Sequence, residues 1–125
     1  MSIVVVGYVP KPEGEAALNT AIEEARLRGA ELIVVNSYRA EGNRDEPDLS
    51  SVRTKLEDSG IAHEVRQLVR GFEASEDLVS VAEASKADLI VIGLRRRTPV
   101  GKLILGSNAQ RVLLDAHCPV LAVKA

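Results

Sequence analysis

Aromatic side chains are nearly absent from this chain, which has two tyrosines, one phenylalanine and no tryptophan among its 125 residues. Proteins that bind single-stranded nucleic acid stack the bases on aromatic rings, and this composition offers no such platform. The chain also lacks an excess of either charge, since its formal net charge is -2. No overall field draws it to nucleic acid or to an anionic membrane, so we expect neither as a partner.

Disulfides and long apolar runs are missing as well. The single cysteine, Cys118, has no partner for an internal disulfide, which is typical of a reducing cytoplasm. The apolar run at the N-terminus is far shorter than the core of a secretory signal, and no run approaches the roughly 18 residues of a membrane span. We therefore expect a cytoplasmic protein. A chain of this length is most simply one domain, covering residues 1–125.

Apolar runs alternate with helical patterns along the chain. Most of the runs are nearly continuous in Val, Ile and Leu, as is typical of strands covered on both faces of a parallel sheet. The predicted strands are Ile3–Gly7, Leu32–Asn36, Ala62–Leu68, Leu89–Ile92 and Val120–Val123. The predicted helices run from about Glu13 to Leu27, from near Pro47 to Gly60, after Ser75, and after Gly106-Ser107 with Ala109, Val112, Leu113 and Ala116 facing inward. This order predicts a doubly wound α/β sandwich of three layers.

The last third of the chain contains the clearest indication of a ligand. The fourth predicted strand is followed by Gly93, by an arginine-rich loop, and by Gly106-Ser107 at a predicted helix start. The free N–H groups of a helix's first turn and the positive end of its dipole favour a phosphate group. This arrangement predicts an anion site. A solvated basic loop before an ordinary helix cap, or a contact of the loop with nucleic acid or an acidic partner, explains the same residues.

Other ligand and catalytic motifs are missing. The first strand is not followed by a glycine-rich dinucleotide fingerprint, and Gly101-Lys102 lacks the rest of a P-loop. The histidines, His63 and His117, and the carboxylates show no metal-ligand spacing. No general base is evident beside the anion site. We therefore expect a binding protein rather than an enzyme, with slow hydrolysis of a bound ligand at most.

The spacing Gly93-x2-Arg96-x9-Gly106-Ser107 resembles the nucleotide motif of the universal stress protein family, G-x2-G-x9-G-[ST]. The ending GLRRRTPVGKLILGSNAQRVLLDAHCPVLAVK is similar to the loop, helix and closing strand of that family. The resemblance covers essentially the whole chain and implies a Rossmann-like, five-stranded parallel sheet in the order 3-2-1-4-5. It also implies a homodimer through the last strand, Val120–Val123, which would otherwise be an exposed edge.

The departures from the motif lie at the ligand. Arg96 stands where the motif has its second glycine, and its side chain either fills the phosphate space or binds the phosphate. Val9 stands where the family's ATP binders have Asp, and Ser37 where they have a small apolar residue. The phosphate half of the implied site is mostly kept, and the nucleoside half is weakened.

Two hypotheses of function follow. The first is a stress-response regulatory protein that binds an adenine nucleotide, ATP or a smaller one, with Mg²⁺ if a triphosphate binds. The residues that it assigns to the nucleotide are Tyr8, Val9, Ser37, Gly93, Arg95, Arg96, Gly106, Ser107 and Asn108. The second is a homodimeric interaction module of the same fold without a nucleotide, whose arginine-rich loop contacts an unknown protein partner or stays solvated.

Overall fold

Five parallel strands form the main sheet, with β1 at its centre and the order β3-β2-β1-β4-β7. The computed structural model describes residues 2–38, 47–69, 74–97, 102–103 and 105–125, with only the backbone described at 96–97 and 102–103. The strands of the sheet are β1 (Ile3–Gly7), β2 (Glu31–Tyr38), β3 (His63–Val69), β4 (Leu89–Leu94) and β7 (Val120–Lys124). The helices are α1 (Pro12–Arg28), α2 (Ser50–Ser59), α3 (Ala74–Ser85) and α4 (Ser107–Asp115). The predicted α/β class and the order 3-2-1-4-5 are confirmed, with β7 as the fifth strand.

The core lies on both faces of this sheet because successive side chains of a strand point to opposite sides. In β1, Val4 and Val6 pack into a cluster with α1 and α2, whereas Val5 packs into a second cluster with α3 and α4. All three side chains are completely buried. This two-sided burial explains why the strand sequences are continuously apolar.

The helix α2 begins later than predicted. The prediction placed Pro47 in its first turn, but the helix starts at Ser50. The reason is a local turn, in which the side chain of Asp48 accepts a hydrogen bond of 2.9 Å from the backbone N–H of Ser50. Leu49 lies just before the helix and is nevertheless buried, as expected.

The inward face predicted for α4 is partly wrong. Val112 is buried, and Ala109 and Ala116 pack half-buried against the second cluster, but Leu113 is 42% exposed. The helix packs mainly against α3 and turns only Val112 fully into the core, so Leu113 lies outside this contact. Leu114 on the same helix is 81% exposed.

Two further features concern the described part of the chain. A short antiparallel pair, β5 (Arg96–Arg97) with β6 (Lys102–Leu103), stands between β4 and α4 and was not predicted. Among the described residues, no helix combines the length and apolar character needed to cross a membrane.

Candidate functional site

The carboxyl edge of the sheet has a notch at its centre. The last residue of β1, Gly7, pairs with Val35, whereas β2 continues to Tyr38. On the other side β4 also extends past the end of β1, to Leu94. In an open parallel sheet, ligands bind at this edge and at the place where the strand order reverses, which here is β1. The notch is therefore the expected position of a site.

An apolar cleft of about 150 Å³ lies in this notch, and we call it the inner cleft. Its walls are formed by apolar side chains from β2 and β4, from the loop after β1, and from the helices α3 and α4. They are chiefly Val9, Val35, Leu78, Ile92 and Val112. The polar residues Ser37, Ser75 and Asn108 also line it. A flat apolar group with a few polar atoms at its edge fits such walls.

An outer cleft of about 310 Å³ adjoins the inner one and is more polar. Gly106, Ser107 and Asn108 line it at the start of α4, and Lys11 and Arg95 bring positive charge. The cap residue of α4, Gly106, has no side-chain cap bond, and the first bond of the helix runs from the N–H of Gln110 to the carbonyl of Gly106. The earlier N–H groups, at Ser107 and Asn108, are therefore not used within the helix.

The two clefts are continuous, because Val9, Glu13, Gly93, Asn108 and Ala109 line both. We call the whole the two-part cleft. The residues assigned to a nucleotide from the sequence lie as follows: Tyr8 and Ser37 line the inner cleft, Arg95, Gly106 and Ser107 the outer cleft, and Val9, Gly93 and Asn108 both. The side chain of Arg96 lies outside the described part of the structure.

Tyr8 borders the inner cleft, but both of its hydrogen-bond donors are used within the protein. Its ring belongs to the core between the sheet and the helices α1 and α2, and its hydroxyl donates a hydrogen bond of 2.5 Å to Glu15. Its backbone N–H donates to the carbonyl of Val35, and its carbonyl accepts from the side chain of Asn36. Tyr8 therefore supports the wall of the cleft rather than presenting a hydrogen bond to it.

The hydrogen bond between Tyr8 and Glu15 shifts the pKa of each group away from its ordinary value. Burial, and then the bond to Glu15, raise the pKa of Tyr8 well above its usual value. The same bond, together with Lys55 at 3.3 Å, lowers the pKa of Glu15. The pair holds a neutral tyrosine against a charged carboxylate over the physiological range.

Two serines, Ser37 and Ser75, contribute hydroxyl groups to the lining of the inner cleft. Ser37 donates its hydroxyl hydrogen to Asp77 at 2.8 Å, and since an ionised carboxylate only accepts, the oxygen of Ser37 is left as an acceptor. The hydroxyl of Ser75 is buried and has no hydrogen-bond partner among the described residues. The sequence analysis missed Ser75 and Asp77; the usable signal was their place at the start of α3, after β3 ends at this edge.

Gly93 serves packing as well as the cleft. A Cβ atom at this position would overlap the backbone carbonyl of Glu13, so the first turn of α1 approaches β4 more closely than any other residue allows. Gly14, which follows Glu13 in α1, also serves packing, because a Cβ there would overlap the backbone carbonyl of Val9. These contacts bring the start of α1, and with it Lys11 and Glu13, to the cleft. The sequence analysis missed both residues, although they follow the first strand at the ligand-binding edge.

Among the described residues that line both clefts, Glu13 is the acidic one. Its side chain is 13% exposed, and its carboxylate lies 4.0 Å from the guanidinium nitrogen Nε of Arg95. Among the described residues, no cluster of three or more His, Cys, Asp or Glu is placed to hold a metal ion.

Comparison with known proteins identifies the family. A universal stress protein of Mycolicibacterium smegmatis is 44% identical over 98% of this chain and 97% of its own length. The solved structure of a universal stress protein from Archaeoglobus fulgidus is 40% identical, covers 99% of this chain and 98% of its own, and superimposes with a TM-score of 0.80. A structure from the same organism in complex with dAMP is 34% identical, with coverage of 99% and 98% and a TM-score of 0.69. The profile of the universal stress protein family matches residues 1–124, and the chain belongs to that family.

Proposed function

We propose that this chain is a stress-response regulatory protein that binds an adenine nucleotide in the two-part cleft. The observation that carries the proposal is the continuity of an apolar inner cleft with an outer cleft that holds unused N–H groups and positive charge. A base needs the first environment and a phosphate needs the second. The Archaeoglobus fulgidus relative in complex with dAMP supports the same class of ligand.

The base belongs in the inner cleft, between the apolar side chains of α3 and α4. There the acceptor oxygen of Ser37 suits the exocyclic amino group of adenine, which donates hydrogen bonds. Guanine carries a carbonyl oxygen at the corresponding position, and two acceptors repel each other. Adenine is therefore the base that this wall favours.

The phosphates belong in the outer cleft, on the first turn of α4. The N–H groups of Ser107 and Asn108 bind phosphate oxygens there, with the positive end of the helix dipole behind them and Arg95 and Lys11 nearby. A triphosphate brings Mg²⁺, which binds mainly through phosphate oxygens and water. We propose binding without rapid turnover, with slow hydrolysis at most, in the cytoplasm.

The test is a pair of matched substitutions at two helix starts. Ser107 is the first residue of α4 and Ser50 is the first residue of α2, and both are exposed. Ser107→Glu places a negative charge against the phosphates and is expected to abolish binding, whereas Ser50→Glu leaves it unchanged. A ligand at a hundredfold its dissociation constant stabilises a fold by about 2.7 kcal/mol, so AMP and Mg-ATP raise the melting temperature by roughly 10 °C in the wild type and in Ser50→Glu. Absence of any shift with AMP, ADP and Mg-ATP refutes the proposal.

The role of Arg96 is tested by restoring the glycine of the family motif. If the arginine binds phosphate, Arg96→Gly weakens the affinity for ATP, since a charge-assisted contact is lost. If the side chain instead fills the phosphate space, the same substitution strengthens the affinity. Calorimetric titration of both proteins decides between these outcomes.

The second candidate function is that of a homodimeric interaction module, and the observation that favours it is the edge strand β7. In the register with β4, the N–H groups of Leu121, Val123 and Ala125 face β4, so those of Val120 and Ala122 face away from the sheet. Exposed Leu113 and Leu114 lie on the adjacent helix. We propose that a second copy of the chain covers this edge through Val120–Val123.

Sedimentation of two proteins tests the dimer. Ala122→Pro removes an outward N–H group without removing a bond to β4, and it is expected to convert the dimer to a monomer. Sedimentation of the wild type as a monomer at micromolar concentration refutes the dimer. A dimer that binds no nucleotide favours the interaction module over the nucleotide-binding function.

A further inference from the structure

The junction between the inner and outer clefts contains a carboxylate, and this position limits what a ligand presents there. We infer that Glu13 binds the 2′ and 3′ sugar hydroxyls of the nucleotide, so that this chain prefers ribonucleotides to deoxynucleotides such as the dAMP in complex with the Archaeoglobus fulgidus relative. The inference rests on the proposed function, because it assigns the part of the ligand that lies between base and phosphate.

The surroundings of Glu13 leave its carboxylate with unused capacity to accept hydrogen bonds. The side chain is 13% exposed, so water reaches little of it. Its described polar contact is Arg95, whose Nε lies 4.0 Å away, which is beyond hydrogen-bonding distance, and the arginine side chain is itself 55% exposed. No described residue donates a hydrogen bond to this carboxylate. The guanidinium of Arg95 offsets part of the charge, but the oxygens of the carboxylate lack a hydrogen-bond donor among the described residues, and a ligand hydroxyl can supply one.

The chemistry of a nucleotide supplies such donors at one place. A phosphate group at the junction would bring two negative charges together, which is unfavourable in a partly buried site. Vicinal sugar hydroxyls donate two hydrogen bonds, and a carboxylate accepts both. Since the sugar connects base to phosphate, a base in the inner cleft and a phosphate on α4 place the sugar at the junction.

The other residues shared by the two clefts do not offer this interaction. Val9 and Ala109 are apolar, and Gly93 has no side chain. Asn108 is exposed and follows Ser107 in the first turn of α4, where its backbone serves the phosphate. Glu13 is therefore the side chain at the junction that can discriminate between sugars.

The experiment is a calorimetric titration of the wild type with AMP, 2′-deoxy-AMP and 3′-deoxy-AMP. A hydrogen bond to a charged group contributes enough that loss of either hydroxyl is expected to weaken binding roughly ten- to hundredfold. Glu13→Gln keeps the size of the side chain and removes its charge, so it is expected to weaken AMP binding and to reduce the difference among the three ligands. Glu23→Gln, at an exposed carboxylate elsewhere on α1, is the matched control and is expected to behave as the wild type.

The outcomes separate this inference from the proposed function. If the wild type binds AMP and both deoxynucleotides equally well, the inference is wrong and the nucleotide site stands. Tighter binding of AMP by Glu13→Gln has the same meaning, because the carboxylate then opposes the phosphate. If the wild type binds no adenine nucleotide, the proposed function and this inference fail together. The comparison of ligands uses the wild type alone, so it remains decisive even if Glu13→Gln does not fold.

Discussion

Gly93 and Gly106 both belong to the family's nucleotide motif, and their surroundings predict opposite effects when a methyl group is added. At Gly93 a Cβ would overlap the backbone carbonyl of Glu13, and backbone cannot move aside as a flexible side chain can. At Gly106 a Cβ meets no atom of the described residues within 4 Å. Replacing each glycine with alanine therefore separates the packing role of the motif from its ligand role.

The expected size of each effect follows from these contacts. Overpacking against a rigid neighbour costs about 1–3 kcal/mol, and the loss of chain freedom in the unfolded state returns less than 1 kcal/mol of this. For a domain of this length, 1 kcal/mol corresponds to roughly 4 °C in melting temperature. Because the overlap is with backbone, the cost lies toward the upper end of that range, so about 2 kcal/mol remains after the return and Gly93→Ala is expected to melt roughly 8 °C below the wild type. Gly106→Ala replaces one helix cap with a poorer one and is expected to lose about 1 kcal/mol or less.

The assay is urea and thermal unfolding of the three proteins, followed by titration with AMP. Gly106 lines the outer cleft, so its alanine variant is expected to keep the fold and to bind AMP more weakly, since the methyl group stands where phosphate approaches. Gly93→Ala is expected to show its main effect without ligand. Melting of Gly93→Ala within 2 °C of the wild type would show that α1 does not pack rigidly on β4, and the reasoning would be refuted.

The Tyr8–Glu15 pair gives the remaining predictions, one at each end of the pH scale. The pKa of Glu15 is lowered in the fold, so its contribution to stability is complete above the unfolded value of about 4.5 and is lost as pH falls through the lower folded value. Tyr8→Phe is expected to flatten this acid limb, and an unchanged limb in urea titrations between pH 2 and 6 would contradict the assignment. The raised pKa of Tyr8 predicts that its phenol stays protonated when pH rises past 10. Ultraviolet titration of the wild type is then expected to show a tyrosine that ionises late, and Tyr8→Phe to lack it.

Most of the fold was predictable because burial on both faces leaves a clear pattern. The run Ile3–Gly7 matches β1 in both bounds, since a central strand has no room for polar residues. Leu113 shows where periodicity stops being informative, because the helical repeat does not show how narrow a face α4 turns toward α3 and the core. The start of α2 depends on one side-chain bond from Asp48, and such a local bond competes with the helix pattern.

The site was predictable where it depends on strand order and not where it depends on packing. Val9 follows β1, and Ser37 and Gly93 lie at the carboxyl ends of its two parallel neighbours, so their meeting at one edge follows from topology alone. The positions of Glu13 and Ser75 depend on how far α1 approaches β4 and how α3 is rotated about its axis. Neither quantity is visible in residue spacing. The ligand-binding role of all these residues stays a prediction.

The strand order has a consequence for the growing polypeptide on the ribosome. Synthesis releases β1, β2 and β3 first, and these three strands are neighbours, so half of the sheet can pair before β4 emerges. The other wall of the two-part cleft is made by β4 and α4, which come near the end of translation. If the proposed nucleotide binds there, it cannot assist early folding of the nascent chain, because it stabilises only a chain that has been translated almost to its last strand.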